Sequence, residues 1–370
     1  MSCVVFTGGG TGGHIFPGLA VAEVMIQKKG ISIVWIGGGK GADRSYVESG
    51  GLPFKGIPAG KLRRYFSLQN FVDVFKVAAG FIKSLYLLAT LKPAFVFSKG
   101  GFVSVPPCMA AKFLRIPVIT HESDFTPGLA TRLNSRSAAK IFVSYPETIQ
   151  FLKKEQQGKA VYTGNPVRLD FYTAKADAGR SFLHIDTKKP LLFIQGGSLG
   201  ARQINDLVFE SISFLTEHFY VVHQCGAANV DQAKLIKQKI HAADSYQYFP
   251  FIREEIPKVL AAADIVLSRA GANSIWECAA AGKPMVLVPL EKGSSRGDQL
   301  DNAAFFEKKG AAFVLSGKKT TAENLIALLQ DLLHNPEKLR VAHEAALHLG
   351  KQKPAEYIAD LLIAELEKKI

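Results

Sequence analysis

Short, unbroken apolar runs alternate with stretches of helical length along most of this chain. In the first half the runs are Val4–Thr7, Ile31–Ile36, Ala94–Phe97, Val118–His121, Ile141–Ser144 and Val161–Thr163. In the second half they are Leu191–Gln195, Tyr220–Gln224, Tyr246–Phe249, Ile265–Ser268, Met285–Val288 and Ala312–Leu315. A strand with one wet face alternates apolar and polar residues. Continuous runs like these are the pattern of parallel strands covered on both faces. Helical segments such as Pro17–Lys29 lie between them, so the chain reads as successive βαβ units. The alternation lapses after Gly164-Asn165-Pro166-Val167-Arg168 and resumes near Lys188. This predicts two doubly wound α/β domains, 1–167 and 168–353, followed by a helix over 354–369.

Each half opens on a strand that runs into a glycine-rich turn. The first is Gly8-Gly9-Gly10-Thr11-Gly12-Gly13-His14 and the second is Gly196-Gly197-Ser198-Leu199-Gly200-Ala201. Glycine admits positive φ and close approach, and the N–H groups of a following helix attract an anion. Two such turns suggest two similar domains around one phosphorylated ligand. Gly8, Gly10 and Gly13 also satisfy GxGxxG, which raises a dehydrogenase. A dinucleotide site needs a carboxylate at the end of the second strand. Here that strand ends in Gly37-Gly38-Gly39, with Asp43 only a few residues later.

The stretch Leu68–Leu91 is strongly apolar, with Asp73, Lys76, Gly80, Lys83 and Ser84 forming a narrow polar stripe. Lys61, Arg63, Arg64, Tyr65 and Phe66 stand just upstream. The stretch fits either a buried helix behind a basic loop or a monotopic membrane patch rimmed with cations. Its charges and Pro93 argue against a full span. The formal net charge of +13 over 370 residues favours acidic partners. No basic–aromatic stacking platform for nucleic acid accompanies it. Cys3, Cys108, Cys225 and Cys278 are scattered without metal or redox spacing, which suits buried thiols in a reducing compartment. The first strand leaves no room for a leader, so a cytoplasmic protein is expected.

Several polar residues fall where open α/β sheets bind ligands. His14, at a helix start, is expected to be neutral and able to take a proton from a sugar hydroxyl. Val118–His121 runs into Glu122-Ser123-Asp124, and another strand into Lys99-Gly100-Gly101-Phe102. Glu277 lies in the first turns of the helix after Ser268-Arg269-Ala270-Gly271, where it could accept hydrogen bonds from a ribose diol. No DxD pair and no metal-ligand cluster occurs, so no metal or cofactor is expected.

Seven segments together, GGGTGGHIFPGLAVA, FSKGGFVSVP, HESDFTPGLATR, TGNPVRLD, GGSLGARQIN, SRAGANSIWECAAAGKP and SRGDQLDNA, resemble the MurG-type UDP-N-acetylglucosamine transferases of bacterial peptidoglycan synthesis. The resemblance implies the GT-B fold, with two Rossmann-like parallel-sheet domains facing a nucleotide-sugar cleft and the last helix crossing back to the first domain. It implies inverting, metal-independent transfer from UDP-GlcNAc to the muramoyl 4-hydroxyl of a polyprenyl-pyrophosphoryl acceptor, lipid I, at the cytoplasmic face of the inner membrane. Carried over by position, Thr11, Gly12 and Gly13 lie near the diphosphate and acceptor. Arg168 and Ser198 contact the nucleotide, Ile252 reads the uracil edge, and Ala272, Asn273, Ser274, Ile275, Trp276 and Glu277 hold diphosphate and ribose. Gln299 reads the sugar hydroxyls, and Asn205 matches an amide near the site. His14 is the expected base. Asp124 stands where the best-known members carry an amide, which makes it, with Glu122 nearby, a rival. Alternatives are another GT-B enzyme such as a diacylglycerol glycosyltransferase, a UDP-GlcNAc epimerase and an NAD-binding oxidoreductase.

Overall fold

The computed structural model describes residues 3–39, 41–60, 68–197, 200–291 and 297–368, with backbone only for 68–72. The basic residues Lys61, Arg63, Arg64, Tyr65 and Phe66, the side chains of Phe71 and Val72, and the turn residues Ser198 and Leu199 lie outside that description, as does Lys369. The chain divides into two compact units, Met1–Arg168 with Lys353–Ile370, and Leu169–Gln352.

The first unit is a parallel sheet of β1 (Cys3–Thr7), β2 (Ser32–Gly38), β3 (Phe54–Ile57), β4 (Val96–Ser98), β5 (Val118–Glu122), β6 (Ala138–Val143) and β7 (Ala160–Tyr162). Their order is β3-β2-β1-β4-β5-β6-β7. The second contains β8 (Leu191–Gln195), β9 (Tyr220–Gln224), β10 (Tyr246–Phe249), β11 (Ile265–Ser268), β12 (Met285–Leu287) and β13 (Ala312–Val314). They are also parallel, in the order β10-β9-β8-β11-β12-β13. Twelve of the strands follow the apolar runs. Their central residues, such as Val4, Val5, Ile141, Phe193 and Val266, are buried from both faces. The apolar-run pattern does not predict β3. Exposed Lys55 and Gly56 interrupt it, and as an edge strand it pairs with β2 alone.

The last helix, Pro354–Glu367, packs on Phe16–Lys29 in the first unit. Ile358, Leu362 and Leu366 are buried there. Lys28–Asp360, Lys29–Glu367 and Lys140–Glu365 ion pairs line its edges at 2.5, 3.1 and 2.6 Å. Exposed pairs of this kind each contribute at most about 1 kcal/mol, so the apolar face does most of the holding.

Leu68–Leu91 forms one helix, but its stripe divides. Asp73, Gly80 and Ser84 point inward with Leu88, while Lys76 and Lys83 stay exposed. Small inward residues let this helix approach the chain closely. A methyl group on Gly80 would strike the Pro58 carbonyl oxygen. Ser84 satisfies itself by donating to the Gly80 carbonyl at 2.7 Å. Leu88 lies in the core, with Phe81, Leu85, Leu87 and Leu91 packed against it. A second set of large apolar side chains is left outside: Phe75, Ile82 and Tyr86 are 67–74 % exposed, and Phe113, from the packed helix Val105–Phe113, is 72 % exposed. The helix thus carries apolar residues on its outer as well as its inner face. Gly80→Ala is expected to destabilise the protein by about 1–3 kcal/mol through overpacking. Ile82→Ser is expected to stay within about 0.5 kcal/mol of wild type. Thermal or denaturant unfolding separates the two, and equal effects would contradict this packing.

Candidate functional site

In each sheet the strand order reverses between two neighbours, β1 and β4 in the first unit and β8 and β11 in the second. Crossovers leave such a pair toward opposite faces and open a crevice at its carboxyl end. The sequence motifs converge on these two places.

At the first, the turn after β1 is closed by a group of its own. Asp43 Oδ1 and Oδ2 accept from the Gly10 N–H at 3.1 and 3.0 Å, and Oδ2 accepts from Gly38 at 3.2 Å. Burial pushes this carboxyl above the usual aspartate range, with the Gly10 and Gly38 amides opposing. Asp43 is therefore engaged inside the protein rather than available to a ribose, which removes the dinucleotide reading. It also means that the two glycine turns are not equivalent anion sites, since a carboxylate already holds the Gly10 amide.

Thr11, Gly12, Gly13 and His14 follow as a partly exposed 3₁₀ turn, with His14 Nδ1 3.0 Å from Thr11 Oγ1. The imidazole lies against the Gly100–Gly101 backbone. Gly101 has φ +76°, and a Cβ there would meet the Gly9 carbonyl oxygen at 2.5 Å and the His14 ring at 3.1 Å. Only glycine fits that position, so the turns after β1 and β4 form one assembly.

Glu122 is corrected by the structure. It is 7 % exposed, and its Oε1 and Oε2 accept from the Asp124 and Gly128 N–H groups at 3.0 and 2.8 Å. Glu122 shapes the turn that presents Asp124 and is not a base. Asp124 is partly exposed. Beneath the turn lies Lys99, 2 % exposed, whose Nζ is 3.0 Å from His121 Nδ1. Burial draws Lys99 down to about 7, with Glu122 and Asp124 acting the other way. Burial, then Lys99, holds His121 well below the ordinary histidine value.

At the second switch point, Gly197 and Gly200 adopt φ +86° and +78°. Gln224, at the end of β9 and 2 % exposed, joins two loops. Its Nε2 donates to the Gly197 carbonyl at 3.3 Å, and its Oε1 accepts from the Ile252 N–H at 2.8 Å. The helix Ala272–Ala280 starts from an extended Gly271 with no side-chain cap. Helical geometry sorts its predicted contacts. Asn273, Ser274 and Glu277 are partly exposed on one face. Ala272, Ile275 and Trp276 are buried, Trp276 edge-on to Phe306 at 5.3 Å. The side chains of Ile275 and Trp276 thus pack in the core, as the 100° step between successive helical positions requires, which leaves these two positions only backbone groups to offer a ligand. Gln299 Oε1 accepts from the Leu290 N–H at 3.1 Å, and buried Asn302 fastens its helix to the Ala270 carbonyl at 3.1 Å. Arg168 is the last residue of the first unit and partly buried.

Asn205 is also turned inward. It is 1 % exposed, donates to the Cys225 carbonyl at 2.8 Å, and accepts from His223 Nε2 at 3.0 Å. His223 Nδ1 then accepts from the Tyr246 hydroxyl at 3.0 Å. This neutral relay braces β9 under the turn, so Asn205 supports the site from below.

Residues 4–143 match the N-terminal domain model of glycosyltransferase family 28, and residues 191–362 match its C-terminal domain model. A Treponema denticola protein named UDP-N-acetylglucosamine–N-acetylmuramyl-(pentapeptide) pyrophosphoryl-undecaprenol N-acetylglucosamine transferase is 58 % identical, over 98 % of this chain and 97 % of its own length. The chain belongs to this transferase family. A Treponema pallidum relative of the same name is 55 % identical over 97 % of the chain and 94 % of its own length. The crystal structure of Acinetobacter baumannii MurG matches with a TM-score of 0.74 and 27 % identity, covering 98 % of this chain and 99 % of that one. The transferase thus has the GT-B fold, with two parallel-sheet α/β units.

Asp43, Lys99, Gln224 and Asn302 were not predicted as site-building residues. Each acts by bonding a loop distant in sequence, which a linear motif does not display. The transferase also carries a buried neutral histidine in each unit, His121 and His223, the latter drawn down to about 3 by burial. On unfolding each returns to about 6.5, so the unfolded chain binds more protons below that pH. Stability is complete above pH 6.5 and is lost as pH falls toward 3. His223 alone is expected to cost about 2 kcal/mol between pH 6.5 and 5. Denaturant titrations should show this loss reduced in His223→Gln, and an unchanged slope in the variant would contradict it.

Proposed function

We propose that this chain transfers N-acetylglucosamine from UDP-N-acetylglucosamine to the 4-hydroxyl of the muramoyl sugar of a polyprenyl-pyrophosphoryl-muramoyl-peptide. The acceptor O4 attacks the anomeric carbon as the bond to UDP breaks, with inversion. The observation that carries this reading is the 58 % identity, across both units, to a relative named for that reaction.

In this reading the second unit, Leu169–Gln352, takes the donor, with Arg168 just ahead of it. Gln224 fixes the Ile252 backbone that meets the uracil edge and the Gly197 turn that meets the diphosphate, together with Ser198 and Arg168. Glu277 accepts from the ribose hydroxyls, and Asn273 and Ser274 stand at the uncapped helix start where charge on departing UDP is stabilised. Gln299 reads the sugar. The first unit, Met1–Arg168 with Lys353–Ile370, takes the acceptor. In the tautomer this reading requires, His14 Nδ1–H donates to Thr11 Oγ1, 3.0 Å away, and Nε2 receives the O4 proton. Asp124 faces the same crevice as a carboxylate partner.

The outward apolar face of Leu68–Leu91 supports docking on a membrane that holds the polyprenyl chain. The helix segment Asp73–Leu91 is long and apolar enough to cross a bilayer, with a mean hydropathy of 1.6. Its packing on β3 and on Val105–Phe113 favours lying on the surface instead. Exposed Lys76, Lys83 and Lys112 on these two helices suit anionic headgroups at the cytoplasmic face of the inner membrane.

Transfer of radiolabel from UDP-N-acetylglucosamine to a lipid I analogue, with UDP-glucose and no-acceptor controls, tests the reading. Label is expected on the lipid from UDP-N-acetylglucosamine only. No transfer by a folded, UDP-binding protein would overturn it. His14→Ala is expected to lower the rate by about 10²–10⁴-fold, and Asp124→Asn by about tenfold. The reverse ranking would make Asp124 the base. Burying a Phe or Ile side chain stabilises by about 1.5–3 kcal/mol. Phe75→Ser/Ile82→Ser should therefore weaken binding to phosphatidylglycerol vesicles by about 10²-fold, and unchanged sedimentation with vesicles would remove the docking face.

A further inference from the structure

At the switch point of the first sheet a lysine is sealed inside the protein. Lys99 ends the run from β4 into Gly100-Gly101, and its Nζ donates to Ser123 Oγ in the turn after β5. It also donates to His121 Nδ1 at 3.0 Å and lies 3.5 Å from Asn165 Oδ1. The His121 tautomer is fixed, because Nε2–H donates to the Gly164 carbonyl at 2.9 Å and Nδ1 must accept. One amine therefore ties together three segments: β4, the Glu122–Asp124 turn, and the stretch that leads out of the unit.

Burying an ammonium costs several kcal/mol, and a methionine would fill similar space without that cost. The groups that face Lys99 indicate what the charge does. His121 is neutral, and Glu122, then Asp124, are the carboxylates that favour the Lys99 charge, with Glu122 also held by the Asp124 and Gly128 amides. His14 lies across Gly100, its ring 3.6 Å from where a Cβ on that glycine would stand.

We propose that Lys99 is a positioning residue for the transfer reaction: the three N–H groups of its ammonium grip His121, Ser123 and Asn165 and so hold the Glu122–Asp124 turn in place at the acceptor crevice. This rests on the reading of the first unit as the acceptor side. Lys99 does not touch the acceptor and acts through the turn.

The test compares Lys99→Met, Lys99→Arg and Ser123→Ala with wild type, using lipid I analogue transfer across pH and UDP binding by calorimetry. Lys99→Met is expected to lower kcat by about tenfold, the same scale as loss of the Asp124 carboxylate that the turn carries, with UDP affinity within twofold of wild type. The alkaline limb of the wild-type profile should come from Lys99 losing its proton. Lys99→Arg, which keeps its charge, should move that limb up by at least one unit. Ser123→Ala should lose rate by about tenfold and keep the limb. Rates within threefold of wild type in Lys99→Met, or an alkaline limb unmoved in Lys99→Arg, overturn the proposal. If both lysine variants fail to fold, a wild-type rate in Ser123→Ala overturns it and a tenfold loss supports it. Absence of transfer by the wild type itself would instead remove the reading on which the proposal rests.

Discussion

The constraint behind both sites is the reversal of strand order in an all-parallel sheet. Where β1 meets β4, and where β8 meets β11, successive crossovers leave toward opposite faces and the carboxyl ends of two strands lie open side by side. Backbone groups there lack ladder partners and must be satisfied by side chains or ligands. The two units solve this differently. In the first, the Asp43 carboxylate takes the Gly10 amide. In the second, the neutral Gln224 amide pins the Gly197 carbonyl. Negative charge under the first turn disfavours a phosphate at Gly10, whereas at the second the described partner of Gly197 is the neutral Gln224 amide. Similar glycine motifs are thus braced by groups of different charge.

Much of this was legible in the chain. Twelve of thirteen strands stand out as apolar runs because strands covered on both faces tolerate little else. The exception, β3, is an edge strand with Lys55 in solvent. The glycine turns and strand-end motifs located the crevices, since positive φ and close approach leave a mark in sequence, as at Gly101 against His14. What motifs cannot show is the direction in which a side chain points. Ile275 and Trp276 sit inside a binding motif yet face the core, and Asn205 and Glu122 spend their polar atoms on the protein's own backbone. The supporting residues escaped for the complementary reason: Asp43 bonds Gly10 across 33 positions and Gln224 bonds Ile252 across 28.

Leu68–Leu91 illustrates how a pattern can be read correctly without revealing which side faces inward. Its stripe of small and polar residues is real, but close packing rather than solvation explains most of it. Gly80 faces inward because bulk there would collide with the Pro58 carbonyl and press on Pro106. Leu85, Leu87 and Leu88 pack inward beside this narrow face, and the remaining large apolar side chains are left outside. Phe75, Ile82, Tyr86 and Phe113 then form an exposed group on two packed helices, with lysines beside them. Such an arrangement suits the membrane docking proposed above for an acceptor anchored in lipid. The inward stripe therefore bears on function indirectly, by holding the helix flat against its unit so that its apolar side is offered along its length.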